Sequence, residues 1–222
     1  MPTTPSSSLL SAAVDGLLAT PTARLPYQHD VLLRSFVLQR PHGNVVVYNS
    51  PGVTAAAAAI RDLGGASRLL INHGHEAMYG QPELETAIWV HASDAADVAG
   101  LLRVAGTFGQ RCMIDDDLEV IPTPGHTAGT TSYLWDDGAH RFLFTGDFIW
   151  IERGEWKAVV LDPELRADYV RSLETVREAE FDFLVPWGTT EDGPSYGSVR
   201  NRIDLHSRID PIIRRVRAGD NR

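Results

Sequence analysis

Four side chains have the types and contexts from which a metal centre is built. His73-Gly74-His75 closes an apolar run over residues 69–72, and alternate side chains of an extended segment share a face, so both imidazoles point the same way, as chelation requires. His126 lies in Thr123-Pro124-Gly125-His126-Thr127-Ala128-Gly129, where one proline and two glycines describe a tight turn that holds a side chain in place. Asp147 follows Phe142-Leu143-Phe144-Thr145-Gly146, and a carboxylate at the end of an apolar strand needs a cation or several donors. Each segment alone reads as an ordinary histidine pair or turn. Together His73, His75, His126 and Asp147 make a nitrogen and oxygen donor set suited to zinc, iron or manganese.

The elements that must position them follow from periodicity and turn chemistry. Residues 32–38 and 44–48 read as strands joined at Pro41-His42-Gly43, followed by an alanine-rich helix over 54–62 that Gly64 stops. Residues 68–72 read as a buried strand. Ser93 predicts the cap of a helix running to about residue 105, and strands follow over 118–121, 131–135 and 141–145. Asp162-Pro163 opens a helix in which Leu165, Tyr169, Leu173 and Val176 recur at helical spacing, and residues 183–185 supply the next strand. A last helical region is expected to break or restart at Asp210-Pro211. Every candidate donor thus falls at a strand end, where α/β folds place their sites.

A chain of 222 residues suits one large α/β domain. The expected division is an N-terminal segment of residues 1–20, with a mobile stretch over 2–8 and a short helix over 9–18, then a single domain over 21–222. The net charge of −9 argues against a nucleic-acid partner, and the arginine-rich stretch from residue 200 onward reads as a solvated helix face. Apolar runs are too short for a membrane span, and the first twenty residues lack the pattern of a secretory signal. A cytoplasmic protein acting on a small molecule, with no membrane partner, is the expectation. The single cysteine, Cys112, excludes an internal disulfide and reads as a small buried apolar residue. His29, His91, His140 and His206 have no motif around them and read as structural or exposed.

His73-x-His75, the Pro-Gly-His-Thr-x-Gly turn at His126 and Thr145-Gly146-Asp147 resemble the metallo-β-lactamase superfamily over roughly residues 32–190, with the glyoxalase II-like hydrolases looking closest. The resemblance implies an αββα sandwich, two mixed sheets flanked by helices, with a metal site at one edge. It also implies that His73, His75 and His126 bind the first metal and that Asp147 corresponds to the bridging ligand. The family's first motif continues as His-x-His-x-Asp-His, whereas this chain has Glu76-Ala77-Met78, and its closing Pro-Gly-His-Gly appears here as Pro186-Trp187-Gly188-Thr189. Ligands exclusive to a second metal are therefore replaced by Ala77, Met78 and Gly188, which points to a single transition-metal ion: zinc first, iron or manganese as alternatives. Restoring all three ligands together is expected to recreate the second site, with the Trp187 ring as the obstacle. Glu76 is expected to face solvent, and Glu191 and Asp192 to lie in an acidic loop open to water.

Three histidines with a metal-held water, and Asp147 taking its proton, would form a hydrolytic centre for an ester, thioester or lactone. His73, His126 and Asp147 alone would form a two-histidine, one-carboxylate site for Fe(II), the set used by persulfide dioxygenases of the same superfamily. A non-catalytic binding domain is the third reading, supported by Trp187 in place of a small residue. The oligomeric state is not legible in the sequence.

Overall fold

The computed structural model describes residues 11–14 and 16–221, so the tail expected over 2–8 lies outside it. Two β layers pack face to face between helices. The first is a mixed seven-stranded sheet in the order Ser11–Val14, Leu17–Ala19, Phe36–Leu38, Val45–Val47, Arg68–Leu70, Ala87–His91 and Val104–Phe108, the last four strands parallel. The second layer holds a six-stranded sheet ordered Cys112–Ile114, Leu118–Pro122, Thr131–Asp136, Arg141–Phe144, Phe183–Val185 and Gly197–Ser198. Beside it lies a five-stranded sheet ordered Glu155–Lys157, Trp150–Glu152, Gly188–Thr190, Gln28–Leu33 and Ala23–Leu25. The helices are α1 (Pro51–Asp62), α2 (Ala95–Val98), α3 (Arg166–Glu178) and α4 (Arg202–Arg217).

Side-chain alternation assigns each layer its neighbours. Phe36, Leu38, Val45 and Val47 pack with Tyr133, Phe142, Phe144 and Val185 of the second layer, while the intervening Val37 and Val46 pack with Val53, Ala56 and Ile60 of α1. On the far side Leu134, Leu143 and Leu184 meet Tyr169, Leu173 and Val176 of α3 and Ile209, Ile212 and Val216 of α4. Central strands apolar on both faces are what a sheet covered on both sides demands, and each large buried side chain contributes roughly 1.5–3 kcal/mol. The αββα sandwich expected from the motifs is the fold observed.

Several local expectations are corrected. Ser11–Val14 and Leu17–Ala19 pair as antiparallel strands and not as a helix: Val14 pairs with Leu17, and Gly16 has φ 80°. Asp-Gly between apolar residues is a strong two-residue hairpin signal, and it makes this segment part of the seven-stranded sheet. The helix expected from Ser93 to residue 105 shrinks to α2, with Asp94 at its N-cap position, because residues 104–108 pair with Ala87–His91 instead. The strand expected over 32–38 divides at Arg34-Ser35, where the chain passes from the five-stranded to the seven-stranded sheet. Helix α4 runs on through Pro211, which apolar packing along Leu205, Ile209, Ile212 and Val216 sustains. Cys112 is exposed, since its strand lies at a sheet edge.

Candidate metal centre

The fold gathers the four residues at adjoining strand ends. His73 and His75 follow Arg68–Leu70, His126 follows Leu118–Pro122, and Asp147 follows Arg141–Phe144. Their neighbours fix which ring nitrogen is free. His73 Nδ1 lies 3.0 Å from Asn72 Oδ1, and Asn72 Nδ2 in turn donates to the Thr131 carbonyl at 2.5 Å, so the His73 Nδ1–H is the donor and Nε2 carries the lone pair. His126 Nδ1 donates to the Val159 carbonyl at 2.8 Å, which again leaves Nε2 bare. Tyr169 of α3 holds that carbonyl's residue in place by accepting the Val159 N–H at 2.9 Å. Gly146, φ 56°, is irreplaceable here: a Cβ would stand 1.8 Å from Asn72 Oδ1, the atom that orients His73. Its N–H donates at 2.8 Å to the hydroxyl of buried Tyr48, which itself donates to the Val185 carbonyl at 2.6 Å, tying the Asp147 turn to both β layers.

Two carboxylates that the sequence analysis did not assign to the site brace its loops. Asp94 accepts from Gly74 N–H at 2.8 Å, from Gly129 N–H at 2.7 Å and from the Thr127 hydroxyl at 2.7 Å, so one side chain locks the His73–His75 loop to the His126 turn. Gly129 must lack a side chain, because a Cβ would lie 2.4 Å from Asp94 Oδ1. Glu76 is wholly buried rather than solvent-facing. It accepts backbone N–H groups of Asn49 (2.6 Å), Asn72 (2.8 Å) and His73 (3.3 Å), because the chain after His73 turns into a tight 3₁₀ helix instead of continuing to alternate. Burial lifts the Glu76 pKa to about 8, while those three donors pull it the other way.

His73 Nε2 lies 3.6 Å and His126 Nε2 3.9 Å from Asp147 Oδ2, and His75 Nδ1 lies 3.1 Å from His126 Nε2. Metal–nitrogen bonds of about 2.0–2.1 Å in a tetrahedral shell put neighbouring ligand nitrogens about 3.3 Å apart, close to the 3.1 Å between His75 and His126. One ligand atom from each of the three histidines lies within 4.8 Å of the others. His73 Nε2 is buried without a hydrogen-bond partner, a polar atom that a cation would satisfy. Burial lowers the His73 pKa to about 4 and that of His126 to about 3, the latter helped by the charge of His73, and lowers His75 as well. All three are thus neutral near pH 7, the form that binds metal. Burial raises the Asp147 pKa against the pull of His73 and His75. The donor set fits a transition-metal ion.

Beside the histidines opens a cavity of about 290 Å³, lined by His75, His126, Asp147 and Gly188 together with mostly apolar residues. Of the three positions where the resemblance put lost second-metal ligands, only Gly188 lines it. Ala77 packs into the apolar cluster around α1, and Met78 lies 46% exposed outside the cavity. Trp187 is buried behind the site rather than in the cavity: its ring stands at 77° to that of His73 with centroids 5.4 Å apart, and its indole N–H donates to the Asn49 carbonyl at 3.1 Å. Glu191 turns away to pair with Arg24 at 2.5 Å. His29, His91, His140 and His206 take no part in the histidine cluster.

Residues 55–188 match the family model of the metallo-beta-lactamase superfamily. No curated protein matches the chain. Among solved structures, a metallo-beta-lactamase from Hirschia baltica superposes with a TM-score of 0.64 over 92% of this chain and 96% of that one, at 13% identity. The metallo-beta-lactamase GOB-18 from Elizabethkingia meningoseptica gives 0.60 over 98% and 96%, at 12% identity. AidC, described as a dizinc quorum-quenching lactonase in complex with a product, gives 0.55 over 83% and 93%, at 9% identity. At these identities the likeness concerns the fold.

Proposed function

The chain belongs to the metallo-beta-lactamase superfamily, and from that premise we propose that it is a metal-dependent hydrolase holding one transition-metal ion, preferentially zinc, that cleaves an ester, thioester or lactone-like small molecule. The observation that carries this reading is the convergence of three neutral histidine nitrogens with a carboxylate beside them, at the mouth of a cavity. A metal bound there supplies Lewis acidity, polarising an acyl carbonyl and bringing the pKa of a water toward neutrality. His73, His75 and His126 are its holders. Asp147 is the proton acceptor: Oδ2 stands within 4 Å of two ligand nitrogens, and burial makes its carboxylate more basic than usual. Asn72, Val159 and Asp94 keep the ligands aimed, the outer-shell support that metal-binding histidines need. Restriction to one ion is supported by Ala77 and Met78 lying away from the cavity.

Zinc-loaded protein offered activated esters, thioesters and lactones without oxygen tests the reading, with turnover expected. Oxygen uptake coupled to persulfide by Fe(II)-loaded protein would establish the dioxygenase instead, and no turnover across the panel would leave a binding domain.

A further inference from the structure

Leu25, Val31, Leu33, Trp150, Val160 and Leu161 give the cavity an apolar wall, Tyr27, Gln28 and Asn221 add neutral polar groups, and none of the described residues lining the cavity is a lysine or arginine. Asp147 is the one lining side chain among them with a formal charge once the histidines are neutral. The two arginines nearest in sequence to this wall are engaged elsewhere: Arg24 pairs with Glu191, and Arg34 donates to the Thr189 hydroxyl at 3.0 Å. A substrate carboxylate entering here would meet Asp147 and a protein of net charge −9, with no lining lysine or arginine to receive it away from the metal that must engage the acyl carbonyl. An apolar chain would meet buried aliphatic groups and the Trp150 indole.

Resting on the hydrolase reading above, we infer that this cavity is an acyl-chain subsite, which selects neutral esters, thioesters or lactones bearing a saturated chain and rejects substrates carrying a carboxylate. The carbonyl lies toward His75, His126 and Asp147, and the chain runs along the Val31, Leu33 and Trp150 wall toward Leu161, which is 57% exposed at the rim. Water adds to the acyl carbon, the bond from that carbon to the leaving oxygen or sulfur breaks, and the proton taken by Asp147 passes to the leaving group, giving an acid and an alcohol or thiol. A cavity of about 290 Å³ is at the small end for organic ligands, so the gain from chain length must stop when the space is filled.

Calorimetry on the full chain, with and without zinc, tests this with straight-chain primary amides from four to ten carbons, beside p-nitrophenyl esters of the same lengths and a chromogenic cephalosporin, which carries a carboxylate. Amide affinity should climb about three- to fourfold per methylene and then level off, ester kcat/KM should follow the same profile, and the cephalosporin should not bind. Leu161→Arg, a change at an exposed position, should flatten the profile and admit the cephalosporin. Amide affinity independent of chain length, tight cephalosporin binding by the unaltered protein, or a profile unmoved in Leu161→Arg would each overturn the subsite. A rising amide profile with no ester cleaved would instead remove the hydrolase reading and leave the subsite standing.

Discussion

His75 Nδ1 stands 3.1 Å from His126 Nε2, the two rings meeting nearly edge to face across 51 residues of chain. Because His126 spends its Nδ1 on the Val159 carbonyl, its Nε2 is left free to bind an ion beside His75. Protein purified without chelator should contain one transition-metal ion per chain by elemental analysis, and His126→Ala should lose it. Zinc at one hundred times its dissociation constant should stabilise the fold by about 2.7 kcal/mol, raising Tm by roughly 5–11 °C. A count near two, or uptake unchanged in His126→Ala, would contradict the site.

Asp147→Asn separates proton transfer from metal binding. The amide keeps the size of the side chain but loses its basicity, so kcat should fall about 10²–10⁴-fold while metal content stays near one. Loss of metal in parallel with activity would make Asp147 a ligand first and a base second.

The range of each signal along the chain decides how much of the site is legible in the sequence. His73-Gly74-His75, the His126 turn and Gly146-Asp147 are readable because each is a local pattern at a strand end, and the fold brings them together as the motifs imply. Asp94 is not, because its three partners lie 20 to 35 residues away and nothing in Ser93-Asp94-Ala95 marks it except a cap-forming residue type. Alternation mispredicts Glu76 because it carries the extended chain three residues past His73, into a 3₁₀ helix that begins at Gly74. The hairpin over 11–19 has a signal in Asp15-Gly16, masked by the apolar run around it.

Asp94 acts through backbone groups of both ligand loops, so its removal should loosen the centre without touching the metal. Asp94→Ala should weaken metal affinity about 10–100-fold, the size typical of lost outer-shell partners, while far-ultraviolet circular dichroism stays unchanged. Asp94→Asn keeps an acceptor for one of the loops and should recover part of the loss. Equal affinities in all three proteins would show that the loops hold themselves.

Arg40 carries the clearest stability prediction away from the site. Its side chain is fully buried, with Nε donating to Asp117 Oδ2 at 2.9 Å and Nη2 to Asp115 Oδ2 at 3.0 Å. Burial alone would raise the Asp117 pKa, but the hydrogen bond and charge of Arg40 bring it below the usual carboxylate value. Asp117→Asn leaves a buried guanidinium short of its main partner and should cost about 3 kcal/mol, or roughly 6–12 °C in Tm. A depressed folded-state pKa means the carboxylate stabilises fully above its unfolded value, about 3.9, and progressively less as pH falls through the folded one. The gap between unaltered protein and variant should therefore hold from pH 8 to about 5 and shrink progressively as pH falls below about 4. A gap undiminished down to the lowest pH at which both proteins stay folded would assign the effect to packing.

The last prediction reverses an expectation drawn from the motifs. Ala77→Asp, Met78→His and Gly188→His together are expected from the motifs to rebuild a second metal site with Trp187 in the way, but the structure moves the obstacle. Trp187 lies behind His73 and leaves the cavity free. Ala77 instead packs among Val53, Ala56 and Ile60, where an aspartate would be a buried charge without a partner, at a cost of about 3–5 kcal/mol. Gly188 has no left-handed backbone, and a Cβ there would press on Val31 Cγ1 at 3.0 Å and Leu33 Cδ2 at 3.3 Å, contacts that side-chain shifts can relieve. Gly188→His should fold and narrow the cavity. The triple variant should unfold at a markedly lower temperature and still bind one ion, because two of its three new donors start from positions that do not line the cavity. Two ions per chain in a folded triple variant would show that the loop from Glu76 to Tyr79 can turn Ala77 toward Asp147 when a metal rewards it.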